Sequence, residues 1–129
     1  RKTPLEVEKV ELPNGSQLQI PTIAEVLRTK AFLIVQRNQV RDYLDVAAVG
    51  STLGIPTACE VLKDIDSFYS EFTNTDGSVL SELVYMLSAP NPADSHNKDS
   101  LGSYKGVVSG WDSWSKVESV CKEIAACLT

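Results

Sequence analysis

The sequence predicts an α+β fold that is mostly helical, one amino-terminal β-hairpin followed by a bundle of about five helices. Three observations carry this expectation. Asn14-Gly15 stands between two extended runs, apolar residues downstream recur at helical spacing, and 129 residues with 43% hydrophobic content suffice for one buried core. The hairpin comes first, over 5–20, with strands at Leu5–Leu12 and Gln17–Ile20. Asn-Gly is expected to form a tight reversed turn, since both residues tolerate positive φ. Two strands are marginal in water, so helices should pack on the hairpin or further strands should flank it.

The helical part is expected over 22–129. Thr22 with Glu25 spells a capping box, and Ile23, Val26, Leu27, Ala31 and Ile34 form the stripe of a first helix reaching about Gln36. Asn38 is expected to cap a second helix through Val49, whose apolar residues Val40, Leu44, Val46, Ala47, Ala48 and Val49 cover more than one face and place it centrally. Gly54 ends it, and Pro56 fits the first turn of a third helix carrying Ala58, Val61, Leu62, Ile65, Tyr69 and Phe72, until Asn74–Gly77 breaks the pattern. Leu80, Leu83, Val84 and Leu87 predict a short fourth helix. A long, mobile loop is expected over Ser88–Ser103, and then a last helix capped by Ser115 and Glu118, with Val117, Val120, Cys121, Ile124, Ala125 and Leu128 as its stripe. No repeat or second domain is expected.

Net charge is −5 with the acids dispersed, which argues against a general electrostatic grip on nucleic acid. There is neither an apolar run of membrane-spanning length nor a secretion-type leader, and the expected location is the cytoplasm. Cys59, Cys121 and Cys127 sit in apolar helical contexts and are expected to be packing residues. The chain opens on Arg1 and enters a strand almost at once, from which we expect further sequence upstream.

Two charge anomalies are the candidates for chemistry. Lys30 lies in the apolar stripe of the first helix, where an ammonium must either reach out to water or meet an anion, whether a carboxylate or a ligand phosphate. Asp42 and Asp45, three apart, share the helix face that Val46 and Val49 make apolar, so they need cations. Arg41 can pair with Asp45 within the helix, and Arg37 or Lys30 can reach Asp42 from the first. Such a cluster is either an ion-pair network that fixes how two helices pack, or a site around a triphosphate or metal.

A hairpin, a helix with a central lysine over Glu25–Ala31, and an Arg-Asp-x-x-Asp helix over Arg37–Asp45 together resemble the nucleotidyltransferase family that includes abortive-infection toxins. The resemblance covers about residues 5 to 55. It implies transfer of a nucleotide from a nucleoside triphosphate to an acceptor, in some relatives transfer RNA, with magnesium clamping the reacting oxygens in the full-length parent. Under it, Lys30 contacts the phosphates and counts as catalytic with Asp42, while Arg37, Arg41 and Asp45 bind substrate. The family's glycine turn and Asp-x-Asp pair would lie upstream, so this chain alone is expected to be inactive and to bind no metal. Asp64 and Asp66 spell Asp-x-Asp but fall on different faces of a helix. The alternative reading is a noncatalytic interaction module that forms a homodimer, or takes a partner protein, along its hairpin edge. His96 is solitary, Trp111 and Trp114 should anchor the last helix, and Tyr104 and Lys105 before Gly106 could line a cleft.

Overall fold

The structure is a computed structural model, and it describes residues 4–69, 78–103 and 111–129. Within these residues the expected α+β, mostly helical architecture holds. An antiparallel hairpin of β1 (Val7–Glu11) and β2 (Gln17–Pro21) leads into α1 (Ile23–Arg37), α2 (Val40–Leu53), α3 (Ile55–Leu62), α4 (Val79–Ser88) and α5 (Trp114–Leu128).

The hairpin pairs Val7 with Pro21 through Glu11 with Gln17. Its turn differs from the tight reversed form expected, because only Gly15, at φ +85°, takes a positive φ there. Leu12 C=O accepts from the Gly15 N–H at 2.9 Å and Leu12 N–H donates to the Ser16 C=O at 2.8 Å. Pro13 and Asn14 thus fill the centre of an ordinary turn and Gly15 supplies the left-handed step after it, the usual build of a three-residue loop. Every strand residue is exposed except Ile20, so the bundle does not cover the hairpin as expected. The ladder is tied down at its base, where Thr22 N–H donates to Glu6 C=O at 3.0 Å.

Thr22 caps α1 through the Glu25 N–H at 3.1 Å. The buried face of α1 is Glu25, Leu27, Arg28, Ala31 and Ile34, rotated from the expected stripe so that Ile23 stays 44% exposed. Asn38 does not cap α2: it ends α1 in the left-handed region, φ 51° and ψ 56°, which asparagine tolerates. Gln39 precedes α2, and this two-residue link folds α2 back against α1. As its all-round apolarity predicts, α2 is central, packing on α1, α3 and α5 and burying Val40, Tyr43, Leu44, Val46 and Ala47. Val40, Leu44 and Val46 each contribute roughly 1.5–3 kcal/mol of burial. At Gly50 a Cβ would stand 3.0 Å from Ile124 Cδ1, so the missing side chain lets α5 approach. The helix runs past Val49 to Leu53, and Gly54, at φ +93°, makes the turn into α3.

The third helix stops at Leu62 rather than running toward Phe72, giving way to a 3-10 turn at Ile65–Ser67. Phe72 and the expected breaker Asn74–Gly77 lie outside the described residues, as do Tyr104, Lys105 and Gly106. The stretch after α4, expected to be a mobile loop, is instead fastened. Ala93 N–H donates to Asn38 C=O at 2.8 Å, Pro90, Pro92 and Leu101 are buried, and 95–103 turns in 3-10 fashion. Ser113, not Ser115, precedes α5, and Glu118 accepts from Trp114 Nε1 at 3.2 Å instead of closing a capping box.

Candidate functional site

The expected site residues all lie on α1 and α2, and they engage one another. Asp42 is wholly buried. Its carboxylate accepts from Arg37 Nε at 3.0 Å to both oxygens, from the Arg37 terminal nitrogen at 2.7 Å, and from the Gln39 N–H at 3.2 Å. This bidentate fork, with the added backbone donor, occupies both oxygens and caps the first turn of α2. The hydrogen bond to Asp42 raises the Arg37 pKa against the opposing effect of burial.

Lys30 reaches Asp45 rather than Asp42, with Nζ 3.2 Å from Oδ2, and Arg41 Nε stands 3.8 Å from the same oxygen. These three side chains are partly exposed. Of the two readings that the sequence left open, the geometry matches an ion-pair network joining α1 to α2. Asp42, wholly buried and engaged by Arg37 and the Gln39 N–H, offers no accessible lone pair to a metal or an acceptor hydroxyl.

A second charged cluster went unread. Glu25 and Arg28 are 1% and 5% exposed, their side chains 3.3 Å apart, and Arg28 also pairs with Glu6 of the hairpin while its guanidinium lies 4.1 Å over the Phe68 ring. The signal was present as an acid and a base three apart in the first turns of α1. Beside this cluster a cleft of about 280 Å³ opens between the hairpin and α1, lined by Leu5, Pro21, Glu25, Val26, Thr29 and Lys30.

A third arrangement closes the α1–α2 link. Asp94 Oδ1 accepts from the Val40 N–H at 2.7 Å, capping α2 from outside, and Asn38 Nδ2 donates to Asn91 C=O at 2.9 Å. The Tyr43 hydroxyl donates to the Asn38 side chain, and burial pushes its pKa up. An open groove of about 370 Å³ next to it is lined by residues that include Asn38, Tyr43, Glu82, Tyr85 and Met86.

The remaining candidates have structural employment. Asp66 accepts from the Leu80 N–H at 3.1 Å, fixing the start of α4, and Asp64 is exposed. His96 is exposed. Trp111 and Trp114 pack against the core at the head of α5, with Lys116 4.4 Å over the first ring and Lys98 5.1 Å over the second. Cys59 and Cys121 are buried as expected, but Cys127 is exposed. Among the described residues no group of three or more His, Cys, Asp or Glu is placed to hold a metal ion, and no helix is long and apolar enough to cross a membrane.

No family model and no solved structure matches the chain. It is, however, 35% identical over 128 residues to the heme uptake protein MmpL11 of Mycobacterium tuberculosis and 34% identical over 128 residues to the mycolic acid-containing lipids exporter MmpL11 of Mycolicibacterium smegmatis. Each alignment takes in 99% of this chain and 13% of the relative. A probable transport protein MmpL11 of Mycobacterium leprae is 39% identical over 94 residues, 73% of this chain and 9% of that protein.

These relatives overturn the nucleotidyltransferase resemblance with its toxin kinship and its nucleoside triphosphate and transfer RNA partners, and they overturn the cytoplasmic location expected from the lack of an apolar span and a leader. Export and uptake move a cargo across a membrane, so the expectation of no membrane falls as well, and the relatives lend no support to pairing through the hairpin edge. The resemblance misled because a lysine stripe followed by Arg-Asp-x-x-Asp is also what two helices locked by ion pairs look like. The charge pattern had left a phosphate or metal site open as one of two readings, and only the resemblance gave Lys30, Arg37, Arg41, Asp42 and Asp45 their nucleotide roles and the parent its magnesium. Over nearly its whole length, the chain is similar to one stretch, about an eighth, of MmpL11 transport proteins.

Proposed function

We propose that this chain is a rigid, noncatalytic helical stretch of a transport protein similar to MmpL11, and that its parent exports a lipid with long acyl chains. The observation that carries the reading is the 34% identity to the mycolic acid-containing lipids exporter, which runs through 99% of the chain rather than through a short motif. The closed ion pairs support it: Asp42 and Arg37 are spent on joining helices. The cleft beside the hairpin favours an acyl chain as the group this stretch touches. Leu5, Pro21 and Val26 line it, and its volume of about 280 Å³ suits a length of hydrocarbon rather than a whole lipid.

The test is a replacement in Mycolicibacterium smegmatis. Deleting the matching stretch of its exporter should abolish export of mycolic acid-containing lipid, and grafting this chain in its place should restore it. Export that survives the deletion at its normal level would end the proposal. A second reading, contact with heme, is favoured by the groove holding Tyr85 and Met86, since tyrosine and methionine both ligate heme iron. It predicts a heme absorption band that Tyr85→Phe with Met86→Leu removes.

A further inference from the structure

The cysteines offer a site that the transport reading does not use. Cys59, on α3, is buried against α5, its thiol donating toward the Ile124 C=O at 3.7 Å. Cys127 stands three residues further along α5, one helical turn on from the Ile124 carbonyl that the Cys59 thiol meets, and its proximity helps to raise the Cys59 pKa. The Cys59 thiol thus meets α5 one turn before Cys127, with one cysteine buried and the other open to solvent. Cys121, the third cysteine, points elsewhere, toward the Tyr43 C=O at 3.8 Å, on the buried face of α5.

We propose that Cys59 and Cys127 form an intramolecular disulfide when the protein meets a peroxide, stapling α3 to the last turn of α5. Cys127 is the exposed partner and meets the oxidant first. Its thiolate attacks one oxygen of hydrogen peroxide, the O–O bond breaks, and hydroxide leaves, giving a sulfenic acid on Cys127. The Cys59 sulfur then attacks the Cys127 sulfur, displacing the hydroxyl, which departs as water with the Cys59 thiol proton. Two thiols and one peroxide thus become one disulfide and two waters. Burial, with the neighbouring Cys127, pushes the Cys59 thiol up to about 12, so it stays protonated and unreactive until the sulfenic acid forms beside it. This order of events gives a directed cross-link rather than indiscriminate oxidation.

The staple joins positions separated by most of the helical part, so it restricts the unfolded chain strongly. Peroxide treatment of the purified chain should remove about 2 Da from its intact mass. Peptide mapping without reductant should link Cys59 to Cys127, and the Tm should rise by on the order of 10 °C, reversed by dithiothreitol. Cys127→Ser, a change at an exposed position, should keep the reduced Tm and lose both effects. A sulfinic or sulfonic Cys127 without a cross-link, a link through Cys121, or a dimer joined at Cys127 would each overturn the proposal. None of these readouts depends on lipid export.

Discussion

Helices α1 and α2 meet across a carboxylate that solvent does not reach, whereas strands β1 and β2 meet across side chains that are exposed everywhere but at the half-buried Ile20. In the first region burial and charge reinforce each other. Asp42 is affordable in the core only because Arg37 and the Gln39 N–H take up its oxygens. In the second, turn geometry and backbone pairing carry the structure, and one buried guanidinium, Arg28, ties Glu6 to the bundle. The difference teaches that in this chain stability resides in the helices while the hairpin is an attached surface.

The comparison is tested most severely at Leu27, which is fully buried on α1. Leu27→Ala should cost about 2–5 kcal/mol, the transfer of the lost methyls plus the cavity left behind, read from urea unfolding. A loss below about 1 kcal/mol would mean that the core collapses around the hole and that helical packing matters less than the geometry indicates. Next comes Asp42→Ala, which strips Arg37 of its partner and α2 of a cap. Because the Arg37 side chain is 45% exposed it can turn to water, so we expect about 2 kcal/mol rather than the larger penalty of a stranded buried charge.

How much of this could be read beforehand follows the same division. The hairpin, the central position of α2 and the stripe of α5 were readable because periodicity and turn residues are local signals. Arg41 with Asp45 was readable as a pair, being four apart, and Arg37 was one of two cations expected within reach of Asp42. Lys30 meeting Asp45 instead of Asp42 was not, since that choice depends on the rotation of α1 against α2. Nor was the capping of α2 by Asp94, an interaction across 54 positions that no short window contains. The function was hidden for a related reason: these charges fix packing, and packing charges carry no signature of the cargo.

Asp94 provides the third test, and a pH dependence. Asp94→Ala should cost about 1 kcal/mol, the usual value of a lost helix cap. Burial works to raise the Asp94 pKa, but hydrogen bonds from Asn97 and the Val40 N–H outweigh it and hold the carboxyl below its ordinary value of 3.8. A carboxyl depressed in the folded state stabilises above its unfolded pKa, and that stabilisation fades as pH falls through the folded value. Stability should therefore decline below about pH 4, and Asp94→Asn should flatten that part of the profile.

Lys30→Ala should weaken the fold by only about 0.5 kcal/mol, because Lys30 and Asp45 are partly exposed and their attraction is screened. In a double-mutant cycle with Asp45→Ala the coupling should shrink further in high salt.

The smallest effect is expected on the hairpin itself. Leu18 is 49% exposed and lies opposite Val10, 37% exposed, so their contact is a single cross-strand pair on a wet surface. Leu18→Thr keeps strand propensity while removing apolar area, and should change unfolding free energy by less than about 0.5 kcal/mol. The same substitution reports on the parent protein. If this surface is covered there, Leu18→Thr should reduce lipid export while leaving the isolated chain's Tm unchanged. A marked loss of Tm in the isolated chain would instead show that the hairpin is part of the core's stability, and the division drawn between the two regions would fail.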